Sequence, residues 1–116
     1  KNFKSSKKKV EKPFIKYKNV HIVEGFFEKS VISKELASVI NISFAFIDCD
    51  IYESAETAFK YIKKKISKGG FIMIDDFSSI DKNNNYIAKS FYEVFADRNI
   101  LFFDSYSNGQ TFRVME

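Results

Sequence analysis

Four carboxylates fall in two tight clusters, Asp48-Cys49-Asp50 and Asp75-Asp76, and each cluster closes a short apolar run. The runs are Phe44-Ala45-Phe46-Ile47 and Phe71-Ile72-Met73-Ile74. If both are strands of one parallel pair, their C-terminal ends share one edge of the sheet, where open α/β sheets bind ligands. Acids crowded at such an edge repel one another unless protons or a cation neutralise them. Oxygen donors, with no cysteine or histidine set in the pattern, suit a hard cation such as Mg²⁺. Asp48, Asp75 and Asp76 are therefore candidates for a metal-binding or catalytic role. Aspartate at a strand-to-helix turn is also a favoured helix cap. For Asp50 the capping reading and the pocket reading stand side by side.

Strand alternation sends Asp48 and Asp50 to one side and Cys49 to the other, so Cys49 reads as a small core residue rather than a nucleophile. It is the single cysteine, which excludes an internal disulfide and a cysteine-based zinc cluster. His21, the single histidine, sits in a strand-like run and reads as a packed or surface residue. Tyr52 could line the pocket.

The elements that must position these residues follow from periodicity. Ala55, Ala58, Phe59 and Ile62 recur at helical spacing, with Ile66 extending the stripe, and predict a helix over 53–66. Ser54 or Asp50 would cap its start, Lys63, Lys64 and Lys65 suit its end, and Gly69-Gly70 offers an exit. Strand, helix and strand make a right-handed βαβ unit. Its two runs are continuously apolar, as expected of strands covered by helices on both faces. Further strands are expected over 20–23, 100–103 and 112–115, and shorter helices over 30–40 and 86–96. The polar connection 105–110 suits a hairpin; Asp81-Lys82-Asn83-Asn84-Asn85 reads as a polar loop. The fold class is α/β, a mostly parallel sheet ending in an antiparallel strand.

A chain of 116 residues, 45% hydrophobic with 14 Phe, fits one domain with a real core. Its charge is uneven. The first eighteen residues hold eight lysines against Glu11 alone, so the basic excess belongs to that end. This divides the chain into a Lys-rich segment over 1–19 and a domain over 20–116. The segment reads as a solvated face rather than a nucleic-acid or membrane arm, because no aromatic ladder or nucleic-acid motif accompanies it. No apolar run is long enough to span a bilayer and no signal peptide is visible, so a cytoplasmic protein is expected. Self-association stays open.

At this point two segments resemble a known family. Phe44-Ala45-Phe46-Ile47-Asp48-Cys49-Asp50-Ile51-Tyr52-Glu53-Ser54, a helix, and then Gly69-Gly70-Phe71-Ile72-Met73-Ile74-Asp75-Asp76-Phe77 are similar to the macrocin O-methyltransferase (TylF-type) family. Val23-Glu24-Gly25-Phe26-Phe27 and Asn108-Gly109-Gln110 fit it more loosely, and the likeness runs over about 20–114. The resemblance implies part of a Rossmann-like class I methyltransferase sheet. It implies S-adenosylmethionine and Mg²⁺ as cofactors and methyl transfer to a hydroxyl of a small molecule, typically a sugar of a secondary metabolite. Carried over position by position, Asp48, Asp75 and Asp76 would hold the metal, with Asp48 also catalytic, while Asp50 and Tyr52 would face the cofactor.

Two departures accompany the likeness. Phe77 stands where the family often has Tyr. The glycine-rich loop and ribose-binding acid of class I methyltransferases have no counterpart here, none of the four glycines forming such a loop, and the chain opens on Lys1 rather than Met. The C-terminal half of a methyltransferase is therefore expected, with the 20–23 strand left without its neighbours. A remnant or partner module without activity is the non-enzymatic alternative. A haloacid-dehalogenase-like phosphatase would use Asp48 and Asp50, but Ile51-Tyr52-Glu53 breaks its pattern. An Asp-x-Asp glycosyltransferase leaves Asp75-Asp76 unexplained.

Overall fold

The computed structural model describes residues 7–116; Lys1 and Lys4 of the basic segment lie outside the described residues. The elements in order are α1 (Lys7–Glu11), a 3-10 turn (Lys12–Phe14), α2 (Phe27–Ser30), α3 (Lys34–Ala37), β1 (Ile42–Ile47), α4 (Tyr52–Lys65), β2 (Ile66–Ile74), α5 (Ile87–Val94), β3 (Ile100–Tyr106) and β4 (Gly109–Val114).

The expected βαβ unit is present: β1 and β2 pair in parallel through α4. Ala55, Ala58, Phe59 and Ile62 form the buried stripe of α4. Its C-terminal carbonyls gain a cation, since Arg98 Nη1 donates to the Lys63 carbonyl at 2.8 Å. The exit differs from the glycine cap expected. Ile66 is already extended (φ −69, ψ 130) and opens β2 directly. Gly69 (φ 85) and Gly70 instead lie in a bulge, where the stretch from Ile66 to Phe71 faces only Ile42 to Phe44 of β1.

The sheet order is β1-β2-β4-β3. One pairing is parallel and two are antiparallel, so the sheet is mixed and not mostly parallel. The strand last in sequence is not last in space. A two-residue turn at Ser107-Asn108 folds β4 straight back along β3, and β4 inserts between β3 and β2. Both late strands are also longer than their apolar runs, because the turn is shorter than the polar connection suggested.

Two further expectations are corrected. Residues 20–23 form no strand, for they have the apolar pattern but no pairing partner among the described residues. Of the helix expected over 30–40 only the single turn α3 forms, set off from α2 by Ser33, which starts it by accepting from Leu36 N at 3.3 Å. Tyr61 Oη donates to the Leu36 carbonyl (2.6 Å) and Lys65 Nζ to the Val39 carbonyl (2.6 Å), fastening this segment to α4.

The core lies on one face of the sheet. Ile47, Ile72, Ile74, Phe112 and Val114 pack there with α4 and α5. Phe91 of α5 is the hub: fully buried, it stacks on Phe112 at 4.6 Å and meets Phe59, Phe77 and Phe95 edge-on or tilted. The other face differs from the two-sided cover expected. Phe44 is 56% exposed, Phe46 50% and Phe103 58%. No helix among the described residues is long and apolar enough to cross a membrane.

Two stability measurements follow from this packing. Truncating the hub in Phe91→Ala should lower unfolding free energy in urea by about 3–5 kcal/mol. Ser90 Oγ is buried without a hydrogen-bond partner among the described residues. Ser90→Ala should therefore raise stability by about 1 kcal/mol, since it removes an unsatisfied hydroxyl at the cost of no hydrogen bond.

Candidate functional site

The two acidic clusters do meet at one sheet edge. Asp75 N–H donates to the Ile47 carbonyl at 2.8 Å, prolonging the β1–β2 pairing one residue past the end of β2. Regular alternation would then send Asp75 and Asp76 to opposite sides. Instead Asp76 adopts φ 49, a left-handed conformation that costs a residue other than glycine about 1–2 kcal/mol. The turn is clamped on its far side: Phe77 N–H donates to the Asn108 carbonyl (3.0 Å), and Ser79 N–H to the Asp76 carbonyl (2.9 Å). Phe77 itself is only 5% exposed and packs in the aromatic core.

The outcome is that Asp48, Asp75 and Asp76 each bring one carboxylate oxygen within 4.8 Å of the others. Asp48 is exposed and the other two are half-buried. Burial first, then the charges of Asp75, Asp50 and Asp76 and a shared hydrogen bond with Asp75, hold the Asp48 carboxyl above its ordinary value. Asp76 is raised chiefly by the charge of Asp75, with burial and Asp50 adding to it. Tyr106 Oη donates to Asp75 Oδ1 at 3.3 Å, and burial with the neighbouring carboxylates pushes that phenol upward as well.

Sequence reasoning placed these three acids together, and the structure brings them together. Asp50 is not one of the converging trio, although its charge is felt by both Asp48 and Asp76. It lines a neighbouring cavity of about 240 Å³ with Gly25, Phe26, Phe27 and Ile51. Tyr52 opens α4, and its hydroxyl donates to Glu93 Oε1 of α5 at 2.6 Å, a bond that pushes the phenol up to about 12. Cys49 is half-buried against the core, and burial beside two aspartates pushes its thiol up to about 11, so it stays protonated. His21 is exposed.

Two residues were not singled out from sequence. Neither Asp50 nor Ser54 caps α4, whose N-cap is Ile51 with no side-chain bond. Asp81 does that work from the loop. Its carboxylate accepts from Asn85 N (3.0 Å), Asn83 N (2.8 Å) and Tyr52 N (3.4 Å), which holds its pKa low. The Asp-x-Asn-x-Asn spacing is a turn signal in itself; the link to Tyr52 is long-range and leaves no local trace. Tyr106 is the other, hidden in what read as a polar hairpin connection.

A close set of anionic oxygens fits a hard divalent cation. The three acids present have the donor chemistry for Mg²⁺. In cation-free buffer the raised Asp48 carboxyl makes ionisation cost folding stability. That cost is absent below the ordinary value of 3.8 and complete once pH exceeds the raised folded value. Asp48→Asn should therefore melt higher than the parent at neutral pH in EDTA. The gain should vanish as pH falls below the ordinary carboxyl range.

No curated protein matches the chain in sequence. Among solved structures, the O-methyltransferase NovP is similar, with a TM-score of 0.70 at 18% identity; the likeness covers 96% of this chain and 46% of NovP. The chain thus spans about half the length of that protein. The family described as Macrocin-O-methyltransferase (TylF) matches residues 1–106. With this match running over most of its length, the chain belongs to the TylF macrocin-O-methyltransferase family.

Proposed function

We propose that this chain carries the metal-binding and acceptor-binding side of an S-adenosylmethionine-dependent O-methyltransferase, acting on a hydroxyl of a sugar or similar secondary metabolite. One observation carries the reading: within a TylF-family chain, Asp48, Asp75 and Asp76 converge at the C-terminal edge of the β1–β2 pair, the kind of edge where open α/β sheets bind ligands. Asp75 and Asp76 are assigned as ligands of Mg²⁺, and Asp48 as a ligand that also takes the acceptor's proton. A bound Mg²⁺ would supply the positive charge that lowers the pKa of an acceptor hydroxyl. S-adenosylmethionine would supply an electrophilic methyl on its sulfonium.

What remains for the protein is to orient one oxygen and remove its proton. A polar cavity of about 530 Å³ beside Asp76, lined by Ser78, Ser79, Ser107, Asn108 and Gln110 among others, is suited to a ligand rich in hydroxyls. Asp50, in the neighbouring cavity, and Tyr52 are assigned to the cofactor's side. Among the described residues no glycine-rich loop follows a strand, so those two alone do not make a nucleoside site.

The second reading is a partner module that binds no cofactor, favoured by the uncovered Phe44, Phe46 and Phe103. It requires a folded chain that shows neither S-adenosylmethionine binding nor methyl transfer.

Methyl transfer to a hydroxylated acceptor, measured on the native protein, separates these. EDTA should abolish transfer and Mg²⁺ restore it. Asp75→Asn and Asp76→Asn should each lower kcat/KM roughly a hundredfold, equivalent to about 3 kcal/mol of lost transition-state stabilisation. Undiminished, metal-independent transfer in both variants would overturn the assignment of the site.

A further inference from the structure

The hairpin that closes the sheet holds two features the proposed reaction leaves unused. One is a glycine without room for a side chain. The other is a tyrosine hydroxyl aimed at a carboxylate. Gly109 and Tyr106 are register partners across the β3–β4 turn. Gly109 is buried and is not among the residues with positive φ, so backbone freedom does not explain it. Space does. A Cβ at 109 would lie closer than 3.0 Å to Cζ, Oη and Cε1 of Tyr106, because the ring lies directly across the glycine. The same ring ends at the acidic edge, where its hydroxyl donates to Asp75 Oδ1 at 3.3 Å.

We infer that Tyr106 is a positioning residue of the carboxylate site, seated by the notch at Gly109 so that its hydroxyl holds Asp75 facing Asp48 and Asp76. The inference rests on the metal-binding reading above. Left to itself, the Asp75 side chain would rotate away from two like charges to relieve repulsion. A donor on one of its oxygens opposes that rotation. A phenol is the suitable donor here, because it is neutral and does not displace a cation as lysine or arginine would. The ring reaches the acid from a rigid hairpin rather than a loop, which keeps the donor in register with the sheet edge. Such outer partners of a ligand commonly change metal affinity by about 10–100-fold.

Mn²⁺ is the probe, titrated into the purified protein and followed by its EPR signal. Tyr106→Phe deletes only the hydroxyl and should weaken Mn²⁺ binding about tenfold, leaving the melting midpoint of the metal-free protein unchanged. In the transfer assay the KM for Mg²⁺ should rise while kcat at saturating Mg²⁺ recovers. Gly109→Ala should push the ring aside and weaken Mn²⁺ binding similarly. The Tyr106→Phe/Gly109→Ala double variant should be no weaker than the worse single, since both act through one hydroxyl. Additive losses would overturn the notch, and if Gly109→Ala fails to fold, Tyr106→Phe decides alone. Asp75→Asn separates the two layers of the claim. If it binds Mn²⁺ as the parent does, the metal site itself falls and the inference with it. If it loses binding while Tyr106→Phe keeps parental affinity, only the role of Tyr106 is overturned.

Discussion

Repulsion among three carboxylates at one sheet edge is the constraint around which this structure is arranged. A chain can avoid such a cluster simply by letting the side chains diverge, and a regular strand end would do so for Asp75 and Asp76. Here the left-handed turn at Asp76 turns both toward Asp48. Strain of about 1–3 kcal/mol at such a residue persists only when the surroundings over-determine it. They do: β1 holds Asp75 from one side, the β3–β4 turn holds Phe77 from the other, and Phe77 is sunk in the core. Each large apolar side chain fully buried there contributes about 1.5–3 kcal/mol. The aromatic cluster around Phe91 is therefore large enough to offset the strained edge several times over.

The clamp also explains why the loops matter more than their composition suggests. Asp81 bonds the start of α4 and its own loop together, and Tyr52 ties α4 to Glu93 of α5. These bonds fix the two helices relative to the sheet edge they overlie. The buried core lies on one face only. On the other, Phe71 and Phe103 stack edge-on at 4.9 Å and Arg113 lies 5.5 Å from the Phe71 ring, while Phe44 and Phe46 stay largely open.

What was legible in the sequence was local. The stripe on α4, the two apolar strands flanking it and the acids that close them all follow from spacing within a few residues, and all are present. The failures have a common origin in long-range pairing. The run at 20–23 has the composition of a strand, but strand formation needs a neighbour's backbone groups, which its own residues do not specify. Placing β4 between β2 and β3 depends on register with Phe71 to Ile74, not on anything within residues 109–114. Asp81 reached Tyr52 across 29 residues of sequence, and Tyr106 reached Asp75 across 31. Side-chain roles set by such contacts are invisible until the sheet order is known.

The departure at Phe77 takes on a different meaning once the fold is seen. As a sequence difference, Phe in place of Tyr removes a hydroxyl next to two acids, which suggests a weakened site. In the structure the ring points into the core, against Phe91, Tyr92 and Phe112. A hydroxyl buried there would need its own hydrogen-bond partner or would cost stability. The donor to the acidic edge comes from Tyr106 at the end of β3 instead. Phe77 thus serves the clamp on Asp76 by anchoring it apolarly, and the polar contact is supplied from the hairpin, where Gly109 leaves space for it.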